Sequence, residues 1–274
     1  MEKSIERWAG PQKMAALRKY ADFFIAASSP VADNLRTRHG ISDKRIRVVD
    51  SFIRSTGSGE LSESEKSACK AALGFNSEAK IVLGCGTTDS RKGPDLFVQV
   101  AQAFNQSSHY PVQFVWVGGH AGEDIVKKVE SLPNKRPAQT NLTFTGAVSN
   151  PLPFMLAADV FLLTSREDPF PLVCLESADC GVPIICFAEA GGMPEFVGST
   201  CGAVVPYLDV DAMTNQLSSF IQNEKKSREL GAQARQKVRS EFDVSIKGND
   251  IYEILLSMHE SSNGHQPLSI PYPG

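Results

Sequence analysis

No stretch of this 274-residue chain is apolar over the roughly 20 residues needed to cross a bilayer, so no transmembrane segment is expected. An apolar leader is missing too: Met1 is followed by Glu2, Lys3, Glu6 and Arg7, and the expected location is cytoplasmic. Neither sign of charge dominates. With 28 Lys and Arg against 31 Asp and Glu the formal net charge is −3, which argues against nucleic acid or an anionic membrane surface as partner. The six cysteines (Cys69, Cys85, Cys174, Cys180, Cys186, Cys201) include no C-x-x-C pair and sit in apolar stretches, where they read as buried, reduced thiols. The five histidines, His120 among them as a surface residue, show no ligand spacing, so neither a metal nor a cofactor is expected.

What is present is a hydrophobic content of 42%, enough for one sizeable core with a small companion. From about residue 80, β-branched runs alternate with amphipathic ones: 80–83, 94–104, 112–117, 142–144, 151–157, 160–163, 171–180, 183–187 and 202–205. Near-continuous apolar strands separated by helices predict a doubly wound α/β domain with a parallel sheet covered on both faces. Before it, helices are expected over 13–20 and 30–39 and strands over 23–26 and 46–49. The Gly- and Ser-rich stretch 55–64 reads as a linker or loop.

In such sheets ligands bind beyond the carboxyl ends of the strands, at loops leading into helices. Five such loops are expected to converge, over 85–93, 118–122, 146–150, 164–171 and 188–194. One carries Asp168 and, eight positions on, Glu176. Eight residues at helical rise span about 12 Å, the reach from a sugar ring through a diphosphate to a ribose. Between the acids, Pro171 suits a first helical turn, and the amides from Phe170 through Leu172 to Val173 make a seat for an anion. The blander alternative is a pair of acids at a helix start, Glu167 and Asp168, with Glu176 on a solvated face. Arg91-Lys92-Gly93-Pro94 places two cations at another helix start, fit for a diphosphate or simply an exposed basic turn. Gly191-Gly192-Met193-Pro194-Glu195 lets backbone approach a ligand, or forms a flexible turn. Gly84-x-Gly86 follows a strand, but Asp89 stands where a dinucleotide fingerprint needs glycine, which disfavours a nicotinamide enzyme.

The ordered set Arg91-Lys92-Gly93, Val117-Gly118-Gly119, Phe144-Thr145-Gly146, Ala158 to Leu162, Asp168 with Glu176, Gly181-Val182-Pro183 and Gly191 to Glu195 resembles the retaining GT-B glycosyltransferases of the family 4 type, from about residue 21 to 242. In place of that family's Glu-x7-Glu, the first acid here is the shorter Asp168. The resemblance implies a nucleotide-sugar donor, with Lys92 and Arg91 on the diphosphate, Asp168 on sugar hydroxyls and Glu176 on the ribose. It further implies that Gly118, Gly119 and Gly146 line the base pocket, or else serve as turns, and that the Gly191, Gly192 and Met193 amides face the donor, with Glu195 beside them. An arginine usual about six positions before the lysine is absent; Gly86 and Thr87 occupy that region, where Arg91 or the Thr87 and Thr88 hydroxyls stand in.

The division implied is a remnant of an N-terminal acceptor domain at 1–52, a nucleotide-sugar-binding domain at 53–245, and a C-terminal helix and disordered tail at 246–274. Only about fifty residues correspond to the acceptor half, so the chain is expected to be a fragment, to work with a separate or missing N-terminal acceptor domain, or to be a reduced protein. The rival to an enzyme is a non-catalytic nucleotide-sugar-binding module, separable by turnover.

Overall fold

The structure is a computed structural model that describes residues 3–57, 59–108, 110–119 and 141–263. Its centre is a six-stranded sheet of β3 (Lys80–Cys85), β4 (Val112–Val117), β5 (Leu142–Phe144), β6 (Val160–Leu163), β7 (Ile184–Phe187) and β8 (Gly202–Val205). The strand order is β5-β4-β3-β6-β7-β8 and every pairing is parallel. The chain therefore winds outward in one direction from β3 and in the other from β6, and the two meet at a topological switch point.

Alternate residues of these apolar strands face opposite sides, and two cores result. Ile81, Leu83, Val115, Phe161 and Ile184 pack with Leu175 and Ala178 of α6 (Leu172–Asp179) and with Ala234 and Val238 of α9 (Glu224–Glu241). Val82, Phe114, Trp116 and Ile185 pack on the other face with Phe97 and Phe104 of α4 (Pro94–Ser107) and Met213 and Leu217 of α8 (Val210–Gln222). The short helices α5 (Leu152–Ala157) and α7 (Met193–Val197) complete the wrapping.

Ahead of this body come α1 (Lys3–Tyr20), broken at Gly10, then β1 (Phe24–Ala26), α2 (Ser29–Thr37) and β2 (Ile46–Val48). β1 and β2 form a two-stranded parallel sheet. Ala26 and Ile46 cluster with Ala32 and Leu35 of α2, whereas Ile25 and its partner Arg47 are exposed on the opposite face.

The stretch expected as a linker or loop is a loop as far as Ser62 among the described residues, and it is a pinned crossing rather than a free linker. Ile53 bridges Asp243 in parallel, its amide bonded to the Phe242 carbonyl at 3.0 Å. The Thr56 amide and hydroxyl donate to Asp179 Oδ2 at 2.6 and 2.7 Å, and Arg239 Nε donates to Asp179 Oδ1 at 2.7 Å. The helix α3 (Glu63–Ala72) then begins inside the supposed linker, capped reciprocally by Ser62 and Glu65. That S-x-x-E signature was present in the sequence beneath the Ser and Gly content. Buried Asp179 thus ties the crossing to α6 and α9. Asp179→Ala is expected to lower unfolding stability by about 2 kcal/mol through orphaned partners, read as a lower denaturant midpoint at unchanged slope.

The last helix, α10 (Val244–Asn263), has no fully buried residue among those whose side chains are described. The remainder of the expected tail, 264–274, lies outside the described residues, as do His120 and the rest of the loop through Gly122.

Candidate functional site

All six main strands run one way, so the loops leaving them share one edge of the sheet. At the β4–β5 end the glycines abut: Gly118 N donates to Gly146 O at 3.0 Å and Gly86 N to Val117 O at 2.9 Å. Gly118 has φ 116°, and a Cβ there would lie 2.4 Å from the Gly86 carbonyl oxygen, so any side chain would part the loops. Gly119 packs on Ala147 in the same seam.

The loop after β3 is folded around Asp89. Its carboxylate accepts from the Arg91 and Lys92 amides at 2.9 and 3.2 Å and from the Thr87 hydroxyl. Burial pushes the Asp89 carboxyl up, yet these hydrogen bonds and the Arg91 charge hold it below the usual aspartate value. The Thr87 proton is thus committed within the loop and Thr88 is buried, so neither hydroxyl stands in for the absent arginine as an outward donor. Gly86 has another use: a Cβ there would sit 3.2 Å from Lys92 Cδ, and its absence lets the lysine arm pass over the strand end.

The β6–α6 loop pairs with the β7–α7 loop. Asp168 N donates to Ala190 O at 2.7 Å and Gly192 N to Pro169 O at 3.0 Å, on either side of a parallel bridge between Asp168 and Gly191. Gly191, at φ 141°, would place a Cβ 1.7 Å from the Asp168 carbonyl oxygen. Two sequence expectations are corrected here. The Gly192 amide does not face a ligand, because the loop pairing consumes it. Pro171 is the cap residue before α6 with extended ψ 121°, not part of the first turn.

The amides of Leu172 and Val173 at the head of α6 have no acceptor among the described residues, as befits the orphan donors of a helix start. The Leu172 side chain is exposed, whereas Phe170 is buried and stacks on Phe242 at 5.7 Å, with Phe196 edge-on to the same ring. Met193 is buried in the core, and only its backbone can face the loop edge. Glu195 is exposed on α7. Ser28, fully buried at the head of α2, donates to Pro169 O at 2.9 Å, and Gly192 fits closely against it. Ser28 and Phe242 were invisible as site supports in the sequence, since their partners lie 141 and 72 positions away.

The charges meet in one place. Lys92 Nζ lies 2.5 Å from Asp168 Oδ2, and Arg91 Nη1 lies 3.7 Å from that oxygen while donating to the Glu167 carbonyl at 3.1 Å. Glu176 is half-buried, and desolvation raises its carboxyl above the ordinary glutamate value. Cys85, at the end of β3, lies within reach of both Glu176 and Lys92; burial and the Glu176 charge push its thiol up to about 11, against the pull of Lys92. Arg91, Lys92, Asp168 and Glu176 are therefore brought to one edge, with unsatisfied amides beside them. Nothing local in the sequence marks Cys85 as a neighbour of Glu176 and Lys92.

A cleft at the opposite sheet edge is lined by Lys66, Lys80, Asp159, Glu224, Arg228 and Arg235. Its charges are already matched, Lys66 with Asp159 and Lys80 with Glu224 each at 2.9 Å, and it lies away from the loops that carry the candidate chemistry. Among the described residues no group of three or more His, Cys, Asp or Glu is gathered as metal ligands, and no helix is long and apolar enough to cross a membrane.

A family model described as Glycosyl transferases group 1 matches residues 65–237. Similar curated proteins include an alpha-galactosylglucosyldiacylglycerol synthase of Streptococcus pneumoniae, 30% identical over 53% of this chain and 38% of its own length. Another is a D-inositol 3-phosphate glycosyltransferase of Xylanimonas cellulosilytica, 25% identical over 78% of this chain and 52% of its own length. This chain thus spans about half the length, or less, of these relatives. Among solved structures, Anabaena HepE in complex with UDP-glucose superposes with a TM-score of 0.79 at 21% identity, covering 94% of this chain and 68% of that one. The sucrose-phosphate synthase of Thermosynechococcus elongatus superposes with a TM-score of 0.78 at 22% identity, over 95% and 64%. At these identities the likeness is one of fold.

Proposed function

The chain belongs to the glycosyl transferases group 1 family, and from that premise we propose that it is the donor-binding half of a retaining glycosyltransferase using a nucleoside diphosphate sugar. The observation that carries this reading is the convergence of Lys92, Arg91, Asp168 and Glu176 at the carboxyl edge of the sheet, beside the free amides of α6. Cations and amides match a diphosphate; acids match sugar and ribose hydroxyls. Relatives that bear glycosyltransferase names and a fold neighbour complexed with UDP-glucose support the same substrate class.

In this reading the bond from the sugar's anomeric carbon to the diphosphate breaks while an acceptor hydroxyl attacks from the same face, through an oxocarbenium-like state, and the hydroxyl proton passes to the departing phosphate oxygen. Lys92 and Arg91 stabilise the departing diphosphate in a fixed, partly desolvated setting, without a metal. Acceptor recognition is assigned to the side of β1 and β2. Parallel sheets are covered on both faces, and the exposed Ile25 and Arg47 mark a face that an acceptor-binding segment or partner would complete.

Melting curves with UDP-glucose, GDP-mannose, ADP-glucose and NAD test the substrate class. A ligand at a hundred times its dissociation constant adds about 2.7 kcal/mol, so one sugar nucleotide should raise the melting temperature and NAD should not. Stabilisation by NAD alone refutes the reading. Hydrolysis of the stabilising sugar nucleotide then separates an enzyme from a binding module.

Glu176 supplies a pH test. Its raised carboxyl favours the protonated form in the folded state, so the stability it withholds when ionised returns as pH falls through that raised value towards the ordinary 4.5. Glu176→Gln is expected to melt above the parent at neutral pH, with the gap closing in acid. Donor binding runs the other way: the parent loses affinity as Glu176 protonates, and the Gln variant binds weakly with a flat profile. Matching pH profiles in the two proteins would remove Glu176 from the site.

A further inference from the structure

The contact between Lys92 and Asp168 joins two groups that the proposed reaction uses for opposite purposes, one for phosphate and one for sugar. Both side chains are largely buried, 14% and 7% exposed, and Arg91 approaches the same carboxylate oxygen at 3.7 Å. The Asp168 backbone cannot shift to follow a departing cation, because its amide is bonded to Ala190 O and its carbonyl is packed against Gly191. Its arm is also short. One carboxylate thus occupies the place of an anionic ligand on the cationic loop.

Resting on the nucleotide-sugar reading, we infer that Asp168 is a specificity determinant that favours the sugar-bearing donor over the free nucleoside diphosphate left after transfer. A bare diphosphate must draw Lys92 away from Asp168 and leaves a buried carboxylate without its one close partner, Arg91 standing off at 3.7 Å. A donor delivers sugar hydroxyls to that carboxylate as its phosphate takes the lysine, so the exchange of partners is complete. A site built around a substrate hydroxyl penalises the analogue that lacks it, because the polar group left behind is unpaired. The ion pair therefore selects by discouraging the product, and it also speeds product release.

The test measures dissociation constants by calorimetry on the full chain for matched pairs: UDP with UDP-glucose, GDP with GDP-mannose, and ADP with ADP-glucose. The substitutions are Asp168→Asn, which keeps the shape and removes the charge, and Asp168→Ser, which covers the case in which the amide variant does not fold. Lys92→Met serves as the contrast. The expected result is that Asp168→Asn binds the free diphosphate about tenfold tighter, with the donor unchanged or weaker, so that the donor-to-product preference falls at least as far. Lys92→Met should weaken both members of the pair. Equal changes in donor and diphosphate affinity at position 168, or weaker diphosphate binding, overturn the inference while leaving the nucleotide-sugar reading intact. If the unsubstituted chain binds none of the six ligands, that reading falls and takes the inference with it.

Discussion

Lys92→Ala is expected to lower turnover of the sugar nucleotide by about 10²- to 10³-fold and to abolish the donor-induced rise in melting temperature. The ammonium lies over the end of β3: its arm crosses Gly86, and its Nζ reaches Asp168 on the neighbouring loop. Arg91 is not an equivalent substitute, since its guanidinium is half-exposed and partly engaged with the Glu167 carbonyl. The substitution also leaves the buried Asp168 carboxylate without its closest partner, which costs about 1–3 kcal/mol of stability. The donor shift must therefore be read against each variant's own unliganded melting point. Retention of the full shift in Lys92→Ala would place the diphosphate elsewhere.

The second large effect concerns backbone. Gly191→Ala is expected to cost about 4 kcal/mol and to remove donor binding together with stability. A Cβ 1.7 Å from the Asp168 carbonyl oxygen meets main chain rather than the yielding end of a side chain, and φ 141° is unsuited to an L-residue. The loops carrying Asp168 and Gly191 must part, which moves the carboxylate and breaks the Gly192 to Pro169 hydrogen bond. Gly146→Ala is the control: φ is positive at 71°, but nothing lies within 4 Å of the added methyl, and a loss of about 1 kcal/mol is expected from backbone strain alone. Chemical denaturation of the two variants decides the matter, and equal losses would refute the steric argument.

Much of the fold was legible. Strand positions emerged because buried parallel strands must be apolar on both faces, and the short β-branched runs 80–83, 112–117 and 160–163 fit that pattern. The start of α3 is hidden because the Ser and Gly content of 55–64 masks the Ser62 to Glu65 capping signature. Arg91, Lys92, Asp168 and Glu176 were legible as candidates because charged residues followed apolar strands at loop positions. Their mutual geometry was not. Lys92 and Asp168 lie 76 positions apart, and no local spacing announces a pair across two loops. The fate of the Gly192 amide was equally hidden, since only the pairing of two loops shows where that donor goes.

The sequence by itself determined that this is a parallel α/β protein and, through the shared direction of its strands, that loops bearing cations and loops bearing acids emerge at one edge. Tertiary structure alone decided which charges meet. By setting β3 directly beside β6 it laid the lysine loop against the aspartate loop, and by pairing that second loop with Gly191 it held the carboxylate within reach of Lys92. The reason is physical: periodicity and composition act along the chain, whereas Coulomb attraction and steric contact depend on distances through space that strand order creates.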